Sequence, residues 1–486
     1  MKALRSFLDK SDERLGDGLE RVLCAHHRRR LRGLGWGSVL EPAGTQDRFG
    51  GRAPIRRHNR VEVLIDGEES LPVIENAIRR ARSHVHIAGW HASADFRLTR
   101  EPGAPTLREL LAETAGRGVG VRVLLWAGPP LPAFQPTRGL ARKEQRKFSE
   151  GTGVRCVLDS RERTMHCHHE KLVVVDDAVA FVGGVDFTAL EGDRHDSPDH
   201  PPRPIGWHDL AARLEGPVVA DVAEHFRQRW TEVAGEDLPR PEVPRPAGDS
   251  DVQLLRTVPD HTYAFAPRGE FTILDSYLRA LRSARRLVYV ENQFLWSPEI
   301  IEVLLAKLRD PPDERFRVVL VLVLPRKPSN GADTTRGQLG RLIDADDGNH
   351  RLLATTISAH DGESAAPVYV HAKLGIVDDE WLTVGSANLN EHSLFNDTEV
   401  NITTDDRALV RATRLRLWSE HLGRPAAELD TDPADVIDHL WRPLAEDQAE
   451  RERRGERRTH RLVLLPGVSR RAGRLQGPLR GLLVDG

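Results

Sequence analysis

Two short segments of the chain carry the same three polar residues at the same spacing, and those residues suit phosphoryl chemistry. His169, Lys171 and Asp176 lie in HHEKLVVVDDAVAFVGGVD, and His371, Lys373 and Asp378 lie in VYVHAKLGIVDDEWLTVGSANLN. Both read H-x-K-x-x-x-x-D, and each residue of the second copy follows its counterpart by 202 positions. Side chains alternate along a strand, so a His and a Lys two residues apart share a face. One copy offers one imidazole and one ammonium. Two copies packed about a pseudo-two-fold axis offer two of each, converging on one point. Two ammonium groups neutralise the non-bridging oxygens of a phosphodiester and the charge that develops in its transition state. One imidazole attacks phosphorus, and the other protonates the leaving alkoxide before activating water or another alcohol. No metal and no cofactor is called for, because the lysines supply the charge. Each motif aspartate falls at the far end of its strand, before a tight turn.

Lysine is scarce in this chain, eight against 62 arginines, so a lysine two residues after a histidine is poor surface filler. A rival reading starts from the run HCHH at 166–169. A structural zinc site needs about four ligands at recognisable spacing, and no second cluster follows. His166 and His168 are therefore expected to be polar loop residues ahead of a strand, and Cys167 a small buried neighbour of the site.

The elements that must position these groups are also repeated. NAIRRARSHVHIAGWH, from Asn76, parallels LRALRSARRLVYVENQF, from Leu278, and GRGVGVRVLLW parallels RFRVVLVLVLP. Amphipathic helices alternating with short apolar strands indicate an α/β fold with buried sheets. The expected architecture is two similar α/β halves, each a mostly parallel or mixed sheet flanked by helices, packed about a pseudo-two-fold axis with one shared site. The expected boundaries are a basic segment over 1–50, halves over 51–245 and 250–425, and a basic tail over 426–486. The proline-rich LPRPEVPRPAGDSD reads as the linker. Residues 127–151 and 326–350 read as long polar loops in matching places, suited to act as lids or binding loops.

Composition narrows the class. Of 486 residues, 39% are hydrophobic and 29% charged, as in an ordinary globular protein. A net charge of −3 argues against a non-specific nucleic-acid binder. Three cysteines form no disulfide framework, the N-terminal residues lack the apolar core of a secretory signal, and no run reaches the ~18 apolar residues of a membrane span. A cytoplasmic protein, peripheral on the inner membrane face, is expected, with the basic terminal runs attracted to anionic headgroups. Nothing in the sequence fixes an oligomeric state.

The doubled motif, with its glycine-containing hairpins, resembles the phospholipase D superfamily over nearly all of residues 55–425. GWHDLAARLEGPVVADVAEHFRQRW, from Gly206, YVENQF, from Tyr289, and GSANLNEHSLFNDTEV, from Gly385, resemble segments of the phosphatidylcholine-type enzymes. The resemblance implies cleavage of lipid phosphodiesters at a membrane surface through a phosphohistidine, with transphosphatidylation as a further outcome. It implies a catalytic set of His169, Lys171, Asp176, His371, Lys373 and Asp378, in which His169 is the nucleophile, His371 the general acid/base and the aspartates structural posts. Asp209 and Glu399 are expected to orient the imidazoles. Ser386 and Asn388 are expected to bond phosphate or the opposite loop, and Glu291, Asn292 and Gln293 to bind substrate. GGVDFT in the first half lacks the Ser and the Asn, so the half-sites are expected to be unequal. The segment before residue 51 is expected to be too short for a calcium- or phosphoinositide-binding module, which leaves recruitment to the catalytic face, the basic ends or a partner. The alternatives are a cardiolipin-synthase-like phosphatidyltransferase, then a nucleic-acid phosphodiesterase, then a scaffold with dead motifs. The intact His and Lys pairs argue against the last.

Overall fold

The computed structural model of the chain describes residues 18, 20–41, 47–130, 135–161, 166–190, 192–202, 206–323, 332–361 and 364–465. In the first half the strands are β1 (Arg56–Ile65), β2 (His84–Gly89), β3 (Gly120–Trp126), β4 (Arg155–Asp159), β5 (Leu172–Val175), β6 (Val179–Gly183), β7 (Gly206–His208) and β8 (Leu210–Glu215). The second half holds β9 (Ser250–Val258), β10 (Glu270–Phe271), β11 (Leu287–Asn292), β12 (Arg317–Leu322), β13 (Leu352–His360), β14 (Ala365–Val370), β15 (Lys373–Val377), β16 (Trp381–Gly385) and β17 (Glu399–Thr404), and β18 (Leu462–Leu464) follows.

Strand order repeats between the halves. β2, β3 and β4 run parallel, and β2 continues antiparallel through β5, β6, β8 and β1. β11, β12 and β13 run parallel in the same way, and β11 continues antiparallel through β15, β16, β17 and β9. The parallel strands are rich in Val, Ile and Leu because helices cover them and both faces are buried. The halves meet at β1 and β9, whose antiparallel pairing is broken by an irregularity between Arg56 and Asn59. One hydrophobic core is shared across this seam, with Val63, Leu172 and Leu214 from one side and Leu374, Val384 and Val400 from the other. The helices Val219–Ala234 and Arg407–Leu422 add Phe226, Trp230, Leu417 and Trp418 to it. At roughly 1.5–3 kcal/mol per large apolar side chain buried, this core outweighs the few backbone bonds of the seam, so the irregular pairing is tolerated.

The two hairpins explain their paired aspartates. Asp176 and Asp177 have φ of 56° and 51°, and Asp378 and Asp379 have φ of 56° and 55°. Ala178 N donates to Val175 O and Glu380 N to Val377 O, closing two-residue turns of the I′ kind. Asp tolerates this left-handed backbone better than most residues.

One expectation about segments fails. The supposed loops contain helices, Arg138–Ser149 and Ala332–Asp346. The first is capped by Thr137 and buries Ala141, Glu144 and Phe148 on one face, a spacing that its many charges masked. Beyond the second half, Trp441 is fully buried, and β18 pairs antiparallel with β13. Residues 20–34 are helical and bury Leu31. The basic run of the C-terminal tail beyond 465 lies outside the described residues, as do residues 1–17. Among the described residues, no helix is long and apolar enough to cross a membrane.

Candidate active site

The two motif strands are brought together by a crossed pairing. His168 forms a parallel bridge with Thr398, and Val370 pairs in parallel with His208. His169 N and Glu170 N donate to Thr398 O at 3.0 and 3.1 Å, and His371 N and Ala372 N donate to His208 O at 2.8 and 3.0 Å. Each motif histidine therefore sits beside the strand that carries the other half's acid. His169 Nδ1 lies 2.9 Å from Glu399 Oε1, and His371 Nδ1 lies 2.7 Å from Asp209 Oδ2. Both contacts occupy Nδ1 and leave Nε2 for chemistry. The ring centroids of His169 and His371 are 6.5 Å apart.

The lysines flank this pair, each folded back onto its own strand. Lys171 Nζ donates to His169 O at 2.6 Å and pairs with Asp186 at 3.3 Å. Lys373 Nζ donates to His371 O and, at 3.1 Å, to the neutral Gln293 Oε1. Asp186 occupies in its hairpin the place that Asn388 holds in the other. Both side-chain atoms of Asn388 are buried with no hydrogen-bond partner among the described residues.

The carboxylates are held differently. Glu399 accepts from Ser386 and, at 2.5 Å, from Ser393. Asp209 accepts from Leu210 N at 2.8 Å and packs against Gly184, where an added Cβ would lie 2.0 Å from its Oδ1. Glycine is required there for space. Burial pushes the Asp209 carboxyl up to about 6, with Lys373 and the Leu210 amide pulling the other way. Burial brings Lys373 down to about 7, with Asp209 opposing. Burial, then the neighbouring Lys373, holds His371 well below the usual imidazole range.

The remaining expected residues divide. Asp176 accepts backbone bonds from Arg82, Ser83 and His84, and Asp378 from Arg285, Arg286 and Leu287. Both lie at strand ends away from the imidazoles. Of the Glu-Asn-Gln strand, only Gln293 reaches the site. Glu291 is fully buried among His208, His421 and Tyr289, and Asn292 accepts from the amides of Phe294 and Leu389. The placement of Glu291 and Asn292 corrects the expectation that they bind substrate: a buried histidine cluster engages Glu291 on one face of the strand, and the backbone amides of Phe294 and Leu389 engage Asn292 on the other. Aromatic residues that were not singled out line the His371 side. Trp207 stacks on Tyr369 at 4.5 Å and lies 4.9 Å from the His371 ring, and Arg194 stacks on Trp207. The legible signal was their position two residues before Asp209 and His371, on the same strand face.

Asp66, His200, His208 and Glu420 could hold a divalent cation. His200 Nε2 lies 2.9 Å from Glu420 Oε1 and 3.7 Å from Asp66 Oδ2, and His208 Nδ1 lies 3.0 Å from Asp66 Oδ1 and 3.4 Å from Glu420 Oε1. Four ligands about 2.0–2.1 Å from a metal stand roughly 3.3–3.4 Å from one another. Glu291 holds the other nitrogen of His208 at 2.7 Å, as outer carboxylates do for metal-bound histidines. Burial works against charge on His200, but Asp66, Asp196 and Glu420 outweigh it and hold its pKa at about 9. The field in this pocket favours positive charge.

A family model for phospholipase D matches residues 77–203 and 349–451, one region around each motif strand. Phospholipase D alpha 1 of Ricinus communis and that of Arabidopsis thaliana are each 27% identical over 79% of this chain and 67% of their own length. That of Oryza sativa subsp. japonica is 27% identical over 72% of this chain and 63% of its own. The chain thus spans about two thirds of the length of these relatives. The fold is shared with phosphatidylserine synthase of Haemophilus influenzae Rd KW20, at a TM-score of 0.55 and 13% identity over 82% of this chain and 96% of that one. Sequence kinship falls on the two segments that the fold crosses over one another, and in them the chain is similar to phospholipase D.

Proposed function

We propose that the protein is a phospholipase D that hydrolyses glycerophospholipids to phosphatidate and the headgroup alcohol at a membrane surface. The observation that carries this reading is the facing pair of imidazoles, each with Nδ1 on a carboxylate and each flanked by a buried lysine. His169 Nε2 attacks phosphorus, and the bond from phosphorus to the headgroup oxygen breaks as His371 gives that oxygen its proton. His371 then takes a proton from water, whose oxygen attacks phosphorus and releases His169. Another alcohol in place of water gives transphosphatidylation. The nucleophile's identity rests on the superfamily resemblance.

Lys171 and Lys373 neutralise the non-bridging oxygens, so the charge stabilisation comes from side chains and the chemistry is metal-independent. Burial and, after it, the lysine field depress His371, and the anionic phosphate offsets the second of these, so substrate raises the proton affinity of the acid. Asn388 adds an amide to the phosphate. A cation at Asp66, His200, His208 and Glu420 would pin the strand carrying Asp209 and take no part at phosphorus.

The test presents vesicles of phosphatidylcholine, phosphatidylethanolamine or phosphatidylglycerol together with a short primary alcohol. Phosphatidyl-alcohol should form, and both His169→Ala and His371→Ala should abolish it. Turnover persisting after either substitution would sink the paired-site reading. Cleavage of plasmid DNA without lipid turnover would move the assignment to a nuclease, and exclusive transfer to glycerol lipids to a cardiolipin-synthase-like enzyme.

A further inference from the structure

The run HCHH offered no second set of ligands in sequence, yet the fold supplies one to its first histidine. His166 Nδ1 lies 3.2 Å from Nδ1 of His392, 226 residues further on, and 3.6 Å from Asp397 Oδ1. We propose that His166, His392 and Asp397 bind a divalent transition cation, Zn2+ being the best fit. The site is separate from the Asp66, His200, His208 and Glu420 cluster and shares no residue with it.

The geometry carries the proposal. The two measured edges, 3.2 and 3.6 Å, bracket the roughly 3.3–3.4 Å that separates ligands of a tetrahedral ion with bonds of about 2.0–2.1 Å. The imidazoles approach through like atoms with their planes 57° apart. Two neutral Nδ1 atoms can both donate lone pairs to one ion, whereas a direct hydrogen bond needs the rings in opposite tautomers. Two imidazoles and one carboxylate form a borderline donor set that selects Zn2+, Co2+ or Ni2+ over the all-oxygen preference of Ca2+ and Mg2+. Asp397 is fully buried and His392 is 2% exposed, while the His166 side chain is 18% exposed.

The surroundings orient the ligands. Cys167 N donates to Asp397 Oδ1 at 2.8 Å, and Asp397 N donates to His392 O at 2.8 Å. His392 opens the π-helical turn His392–Asn396, an irregularity frequent at functional positions. The bound ion would clamp the segment leading to His169 onto the segment leading to Glu399, at the top of the bridge where Thr398 N donates to Cys167 O at 3.2 Å. It would act as a staple on the His169–Glu399 pair.

The experiment strips the full chain with a chelator and titrates it with Co2+, whose visible bands report tetrahedral coordination. His166→Gln, at the least buried ligand, should bind one Co2+ fewer per chain, or bind it at least about 100-fold more weakly. His392→Gln should do the same, and Glu420→Gln should retain this equivalent. Thermal unfolding should show the Zn2+-dependent rise in Tm shrinking in His166→Gln while the metal-free Tm stays where it was. Unchanged Co2+ stoichiometry and affinity in His166→Gln would overturn the site, as would an absence of tetrahedral bands in both the parent and Glu420→Gln. The three residues would then be a hydrogen-bonded cluster only.

Discussion

The half-site built on His169 and the one built on His371 share a strand, a spacing and a carboxylate borrowed from across the molecule, yet they hold charge in opposite ways. Around His169 each charged group has its own polar partner: two serine hydroxyls grip Glu399, and the carboxylate of Asp186 stands beside Lys171. Around His371 the charges are movable. Asp209 is pushed up to about 6, Lys373 is brought down to about 7, and its side-chain neighbour is an uncharged amide. A nucleophile benefits from an imidazole held in one tautomer and one orientation. A group that must give a proton and take one back benefits from surroundings poised near neutrality. The difference in charge matches the division of labour proposed for the two histidines.

That contrast can be broken most directly at the carboxylates. Glu399→Gln, which keeps shape and removes charge, should cost about 10⁴-fold in kcat by freeing the tautomer of His169. Asp209→Asn should cost less, since that carboxyl already holds its proton part of the time near pH 6. Equal losses would show that the two halves are braced alike.

The next effect is steric. Gly184→Ser places a side chain on Asp209 and should lower kcat roughly 10²-fold or more through misplacement of His371. Its mirror substitution, Ser386→Gly, only removes one hydroxyl from a Glu399 still held by Ser393, and about tenfold is expected. Single-turnover rates on the same vesicles compare the two.

A subtler test makes the halves alike. With Lys373 titrating near 7, its positive charge is lost as pH rises through that value, so kcat/KM should fall on the alkaline side. Gln293→Glu sets a carboxylate beside Lys373, as Asp186 stands beside Lys171, and should move this alkaline limb up by about one pH unit. A limb that stays put would remove Lys373 from the pH profile.

The smallest effect concerns stability. Between about pH 7 and 10.5 the unfolded chain holds a proton on Lys373 that the folded site does not, so its contribution to stability rises with pH across that window. Lys373→Met should abolish turnover and yet raise Tm by about 2 °C near pH 7. The gain should shrink towards pH 10.

Much of this was legible in the sequence. The repeated spacing located both histidines and both lysines, and strand alternation put each pair on one face. Asp209 and Glu399 were also recoverable, but only through the resemblance, because each segment that carries one of them holds other acids as well. What stayed hidden depends on contacts between distant segments. That Gly184 is there for the room Asp209 needs cannot be read from GGVDFT, and nothing near Glu291 in sequence reveals that His208 and His421 surround it. The helix over 138–149 was lost because its buried face is only three residues wide beneath a surface of charges. His166 was set aside because its neighbours in sequence, rather than its neighbours in space, were asked to complete a ligand set.

The exchange of carboxylates between halves makes the site a logical conjunction. Neither His169 nor His371 has its acid unless the opposite strand is docked beside it, so loosening the shared core disarms both histidines together. A partly opened chain is therefore silent rather than indiscriminate. For a protein whose proposed intermediate is a phospholipid fragment bonded to its own side chain, that silence confines the reactive imidazole to the one conformation that also holds the group able to release it.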